Sequence, residues 1–124
     1  MSLSNYYYIL DESYYSKALS YFNKDIKIAI FSDDIEWCKS NIKNKNIYFI
    51  EESPIVDLRI MSICENNIIA NSTFSFWGAY LNENKNKKVI CPQNWFKEEY
   101  SLLISNNIEK DCASNLILDN WERI

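Results

Sequence analysis

Five short apolar runs decide what this chain of 124 residues can fold into, because none of them alternates apolar with polar residues along its length. The runs are Ile26–Phe31, Ile47–Ile50, Ile68–Ala70, Lys88–Cys91 and Leu116–Leu118. A strand with one face in water shows a polar residue at every second position; these do not, so each is expected to be covered on both faces. The segments between them read as helices. Ser13–Asn23 carries Tyr14, Ala18, Leu19 and Phe22 at helical spacing, and a short helix is expected over Ile35–Ile42. Ser53-Pro54 has the form of an N-cap followed by proline at the first helical position, opening a helix striped by Ile55, Leu58, Met61 and Cys64. Further helices are expected over Phe74–Leu81 and Lys97–Ser105, with a tail from Asp119 to Ile124. Strand and helix alternate throughout. The expectation is an α/β fold: a Rossmann-like three-layer domain with a mostly parallel sheet, Ile26–Phe31 central in it, filling residues 1–124 as a single domain. Ligands of such sheets sit at the carboxyl ends of the strands, which directs attention to Ser32–Asp34, Asn71–Phe74 and Pro92–Trp95.

Composition narrows the chemistry. Glycine occurs once, at Gly78, so the glycine-rich phosphate loops are excluded, and any phosphate site must rest on a helix N-terminus and hydroxyl side chains. Histidine is absent, which removes the commonest general base and the histidine metal motifs. The four cysteines (Cys38, Cys64, Cys91, Cys112) are far apart and form no C-x-x-C pair; they read as small apolar residues in a reducing compartment, with no metal expected. A net charge of -4 argues against a nucleic-acid partner, and Lys85-Asn86-Lys87-Lys88 reads as a solvated turn. No run reaches the ~20 apolar residues of a membrane span, and no signal-peptide pattern is present. A cytoplasmic protein is expected, free or peripheral to the inner face of the membrane, with no cofactor.

Three local features carry chemistry. The first is the run Ile68-Ile69-Ala70-Asn71-Ser72-Thr73-Phe74-Ser75-Phe76-Trp77-Gly78-Ala79-Tyr80-Leu81, a strand passing through a polar turn into a helix. Unpaired N–H groups and the helix dipole attract phosphate there, and the Ser72 and Thr73 hydroxyls add donors for a diphosphate. Gly78, one turn in, is expected to let the helix approach the sheet. Asn71, Ser72 and Thr73 equally suit plain helix capping, and together they spell a formal N-glycosylation sequon. The second is Phe31-Ser32-Asp33-Asp34-Ile35-Glu36-Trp37, where the carboxylates either cap a helix or meet sugar hydroxyls; adjacent aspartates lack the D-x-D spacing of a metal-dependent transferase. The third is Asp57, placed either to complement the helix dipole or to accept from the N–H groups of a purine such as guanine.

Taken in order, Phe31-Ser32-Asp33-Asp34…Trp37, Asp57…Met61-Ser62…Cys64 and Ile68 through Asn82 resemble glycosyltransferase family 11, the α-1,2-fucosyltransferases. The family's hallmark run reads close to I-I-A-N-S-T-F-S-W-W-G-A-W-L-N, with Phe76 and Tyr80 standing here for two of its tryptophans. Lys88-Val89-Ile90-Cys91-Pro92…Trp95-Phe96 and Asp119-Asn120-Trp121…Ile124 resemble its C-terminal stretch, so the likeness covers nearly the whole chain.

The resemblance implies the C-terminal, donor-binding half of a GT-B transferase that moves L-fucose from GDP-fucose to a galactoside hydroxyl, without metal and with inversion. By matching positions it assigns Ser72, Thr73 and Phe74, with Asn71 in the same turn, to the diphosphate and nucleotide. It gives Asp57 to guanine and lines the donor site with Ser32 and Asp33. No residue here is assigned as catalytic. The family's H-x-R-R-G-D-Y motif, whose arginine neutralises the departing diphosphate, is missing, and so is the acceptor-binding N-terminal half; Asn66 stands where the family commonly has histidine. The expectation is therefore a truncated transferase that is silent on its own. Other readings are a degenerate Rossmann-like binding module, and a receiver-like signalling domain built on Asp33 and Asp34, which would need a further strand-end aspartate where Asn71 stands.

Overall fold

The computed structural model describes residues 7–97, 118 and 120–124. The chain alternates helix and strand in the order α1 (Glu12–Leu19), β1 (Ile28–Phe31), α2 (Ile35–Asn41), β2 (Ile47–Ile50), α3 (Pro54–Ile63), β3 (Asn67–Ile68), α4 (Thr73–Tyr80), β4 (Val89–Cys91) and β5 (Glu122–Arg123). Each helix begins where a short polar side chain can accept from its first turn. Asp11 accepts from Ser13 and Tyr14, Asp34 from Trp37, Ser53 from Val56 and Ser72 from Ser75, with Pro54 at the head of α3.

All three strand pairings are parallel, as the sequence predicts. Two sheets form among the described residues, however, rather than one: β1–β2, and β3–β4–β5. β1 is thus an edge strand here and not a central one. The backbone shows why its edge matters. Ile28 N–H donates to Asn46 toward β2, while Asn67 and Ile69 N–H donate to Lys88 and Ile90 toward β4. By the alternation of a strand, the amide groups of Ala29 and Phe31 on β1, and of Ile68 on β3, point the other way. Both edges line one cavity of about 170 Å³, with Met61, Cys64 and Ser75 completing its walls.

The core lies in the second sheet. Ile69, Phe76, Ala79, Val89, Cys91, Trp95 and Trp121 form one buried cluster, and Ile90 is fully buried beside it. The register Asn67↔Val89, Ile68↔Ile90 would bring the N–H of residue 92 to the carbonyl of Ile69. Residue 92 is proline and has none. The buried Tyr14 hydroxyl of α1 donates to that carbonyl instead, at 2.5 Å, so a helix side chain completes the ladder where proline ends it.

Several expectations change in detail. The last strand is Glu122–Arg123, paired with Ile90 and Cys91, and Leu118 is not in a strand. That strand pairs beside the fully buried Ile90 and Cys91. The rest of the expected strand, Leu116–Ile117, and most of the helix expected over Lys97–Ser105 lie outside the described residues. α1 stops at Leu19, four residues early, because Ser20–Asn23 turn on hydrogen bonds of shorter span such as Phe22 N–H to Leu19 O. Ile55 of α3 is 82% exposed and does not join the half-buried stripe of Leu58, Met61 and Cys64. That helix meets α4 through its C-terminal half, at Met61 and at Cys64, whose carbonyl accepts from Asn82.

Gly78 proves to be a contact between helices, not between helix and sheet. A Cβ there would stand 2.7 Å from Met61 Sδ and 2.8 Å from Met61 Cβ. Among the described residues no helix is long and apolar enough to cross a membrane.

Gly78→Ala is expected to lower stability by about 1–2 kcal/mol in urea unfolding, overpacking outweighing the helix preference of alanine; Met61→Ala in the same chain should return most of it. A second expectation concerns alkaline pH. Burial pushes the Tyr15 phenol from 10.0 up to about 12 and raises Tyr14 as well. A phenol raised in the folded state stabilises it fully below the unfolded value and loses that contribution as pH climbs through the folded one. The urea midpoint should therefore hold below pH 10 and fall between pH 10 and 12, with Tyr15→Phe flattening the fall.

Candidate functional site

The residues singled out by the sequence lie where parallel strands hand over to helices. Phe31 pairs with Ile50, which sets Ser32 and Asp33 at the exit of β1 beside Glu51 and Glu52 at the exit of β2. Phe31, Ala70 and Ser75 border the same cavity, so the exits of β1 and β3 flank one cleft. The roles within that rim differ.

On the β1 side, Ser32 Oγ accepts from Asp34 N–H at 2.9 Å and Asp34 caps α2 through Trp37 N–H at 3.1 Å. Asp34 is therefore structural, as the capping reading has it. Asp33 is exposed and takes no partner among the described residues. Asp57 is half-buried, and one of its oxygens accepts from Glu52 N–H at 3.2 Å, which ties the β2 exit to α3 and leaves the other oxygen open.

On the β3 side, Ser72, Thr73 and Phe74 are exposed at the N-terminus of α4. Ser72 Oγ caps the helix through Ser75 N–H at 3.1 Å. The Thr73 hydroxyl, and the N–H groups of Thr73 and Phe74, meet no acceptor among the described residues. These are the open donors of the turn, and no carboxylate lies within it. Asn71 behaves differently: its Nδ2 donates both hydrogens inside the protein, to Tyr8 O at 2.7 Å and Trp95 O at 2.8 Å.

Two members of this site were not singled out by sequence. Ser75 donates to Ala70 O at 3.0 Å or to Ser72 O at 3.0 Å and contacts Ser72 Oγ at 3.1 Å, holding the turn shut from below. The S-x-x-S spacing, which sets a second hydroxyl three residues after the N-cap, is the signal that would have found it. Tyr8 is the other, brought in by the bridge between Tyr7 and Phe96; no local pattern announces it. Elsewhere, burial pushes the Cys91 thiol up to about 11 and raises that of Cys64 as well.

The half-buried Ile68 and buried Ile69 thus lead through a half-buried Asn71 into the exposed Ser72-Thr73 helix start, with Asp57 near the head of the preceding helix. The family model for glycosyl transferase family 11 matches residues 1–114. The chain belongs to this family. The chain is 36% identical over 127 residues to the O-antigen biosynthesis glycosyltransferase WbnK of Escherichia coli, covering 95% of this chain and 38% of that protein. An alpha-1,2-colitosyltransferase of Escherichia coli is 39% identical over 98 residues, covering 71% and 33%. The human galactoside alpha-(1,2)-fucosyltransferase 1 is 31% identical over 80 residues, covering 57% and 22%. The chain thus spans well under half the length of these relatives. No solved structure matches it. Family membership makes this a glycosyltransferase sequence, and the mixed α/β structure with short parallel sheets is consistent with a glycosyltransferase domain.

Capping and exposure separate the two hydroxyls of the turn. Ser72→Ala is expected to cost about 1 kcal/mol of stability, while Thr73→Ala and Asp33→Ala each stay within about 0.5 kcal/mol, read from thermal melts of the three variants.

Proposed function

We propose that this chain is the donor-nucleotide portion of a fucosyl-type transferase, binding GDP-fucose at the exits of β1, β2 and β3. In this reading the domain is the Rossmann-like C-terminal half of a GT-B enzyme. The observation that carries it is the free first turn of α4: two unpaired N–H groups and the Thr73 hydroxyl, exposed at a helix N-terminus. The diphosphate rests there, with Phe74 against the nucleoside.

Electrostatics supports a division of the ligand between the two sides of the cleft. The β1–β2 side is acidic, with Asp33, Glu51, Glu52 and Asp57, and would repel phosphate. It suits guanine, whose N1 and N2 present hydrogen-bond donors to the open oxygen of Asp57, and sugar hydroxyls, which can donate to Asp33 beside Ser32. The α4 side offers N–H and hydroxyl donors and carries no carboxylate. A nucleoside diphosphate sugar has that polarity from end to end.

The acceptor, a galactoside-containing glycan, belongs to the part of the relatives that this chain does not span. Relatives named for colitosyl and fucosyl transfer leave two sugars as donors to be compared, with GDP-fucose taken first. The site residues are Ser, Thr, Asn, Asp and Phe; none is a cation able to neutralise a departing diphosphate. Oriented donors of that kind are worth ~3–4 kcal/mol in a transition state, so residues 1–124 alone are proposed to bind donor without turning it over. The three described cysteines are free thiols, in keeping with a cytoplasmic location, free or at the inner face of the membrane.

Calorimetry with GDP tests this. Thr73→Ala should weaken GDP about tenfold and leave guanosine nearly unchanged, whereas Asp57→Ala should weaken both about tenfold. Absence of heat at millimolar GDP would sink the reading, and fucosyl transfer from GDP-fucose to lactose by the purified chain would sink its catalytic silence.

A further inference from the structure

Asn71 stands first in the polar turn, yet its donors point away from the space a ligand would fill. Its single amide nitrogen carries two hydrogens and both are used, on Tyr8 O at 2.7 Å and on Trp95 O at 2.8 Å. The orientation of the amide is fixed by those partners, since the reverse flip would set its oxygen against two carbonyl oxygens. Trp95 O also accepts from Tyr8 N–H at 3.1 Å, and Tyr7 bridges Phe96. One side chain therefore ties three pieces of backbone: the exit of β3, the segment before α1, and the loop after β4. That loop is anchored independently by the buried Pro92 and Trp95, and by Gln93 N–H on Ile124 O at 2.8 Å. The turn is held to an anchored neighbour at its first residue, while the Ser75 hydroxyl holds it from within on Ala70 O or Ser72 O.

We propose that Asn71 is a positioning residue of the diphosphate site, acting on the ligand only through the direction it gives the N–H groups and hydroxyls of Ser72, Thr73 and Phe74. The proposal rests on the donor-site reading above. It assigns the first residue of the turn a different task from its neighbours: Thr73 meets phosphate, and Asn71 meets protein. It also excludes glycan attachment at the Asn71-Ser72-Thr73 sequon in the folded chain, because the nitrogen that would be glycosylated is fully bonded.

The test uses the full chain with Asn71→Leu, near in shape and without donors, and Asn71→Gln, which keeps both N–H donors on a longer stem. GDP and guanosine affinities are measured by calorimetry for each, alone and combined with Thr73→Ala. Positioning predicts that Asn71→Leu weakens GDP about tenfold with guanosine changed less than about twofold, that Asn71→Gln recovers part of the loss, and that Asn71→Leu costs less in the Thr73→Ala background than in wild type, because one of the donors it orients is already gone. Additive losses in the double variant, or equal losses for GDP and guanosine, would overturn it. Amide exchange of Ser75 and Phe76 in unliganded protein gives a reading that needs no nucleotide. Faster exchange in Asn71→Leu than in wild type supports the tie, and unchanged exchange overturns it. Should wild type fail to bind GDP, the donor reading falls while the exchange result still decides whether Asn71 orders the turn.

Discussion

A missing hydrogen sits at the centre of this structure. Pro92 ends β4 and cannot donate to Ile69, and a buried carbonyl left without a partner costs about 1–3 kcal/mol. Tyr14 removes that penalty by reaching from α1 to the orphaned oxygen. One bond thereby fixes α1 against the second sheet and ends β3 where the polar turn must start. It also permits Pro92 to stiffen the loop that meets Asn71. The position of the site descends from this substitution of a phenol for a backbone amide.

Much of that was legible in the sequence, and the parts that were not share a cause. Helix starts were readable because capping is local: Asp34, Ser53-Pro54 and Ser72 act within three residues of themselves. Parallel pairing was readable from strands with no polar alternate face. The extent of β5 was not, since Glu122–Arg123 carry no strand preference and pair beside the buried Ile90 and Cys91. Nor was the partner of Gly78, as a glycine announces close approach without saying to what; Met61 is seventeen positions away. The same holds for Asn71. Its place in the turn was plain, but the carbonyls it bonds come from residues 63 and 24 positions distant. Sequence spacing sees caps and periods; it does not see which distant backbone a short amide will meet.

Among the residues of the rim, helix capping and ligand contact were competing readings at every position. The structure divides them by residue. Asp34 and the Ser72 hydroxyl are occupied in capping, Asp57 is half occupied, and Thr73 and Asp33 are open. Family membership raises interest in the whole motif, but physical availability differs sharply within it, and variants should be chosen by availability.

The unjoined edges of β1 and β3 have a consequence beyond the donor site. The amide groups of Ala29, Phe31 and Ile68 on these edges border the cavity between them and have no strand partner among the described residues. A second molecule of the protein carries extended apolar chains in abundance. An edge without a strand partner is a point of vulnerability to strand exchange at high concentration.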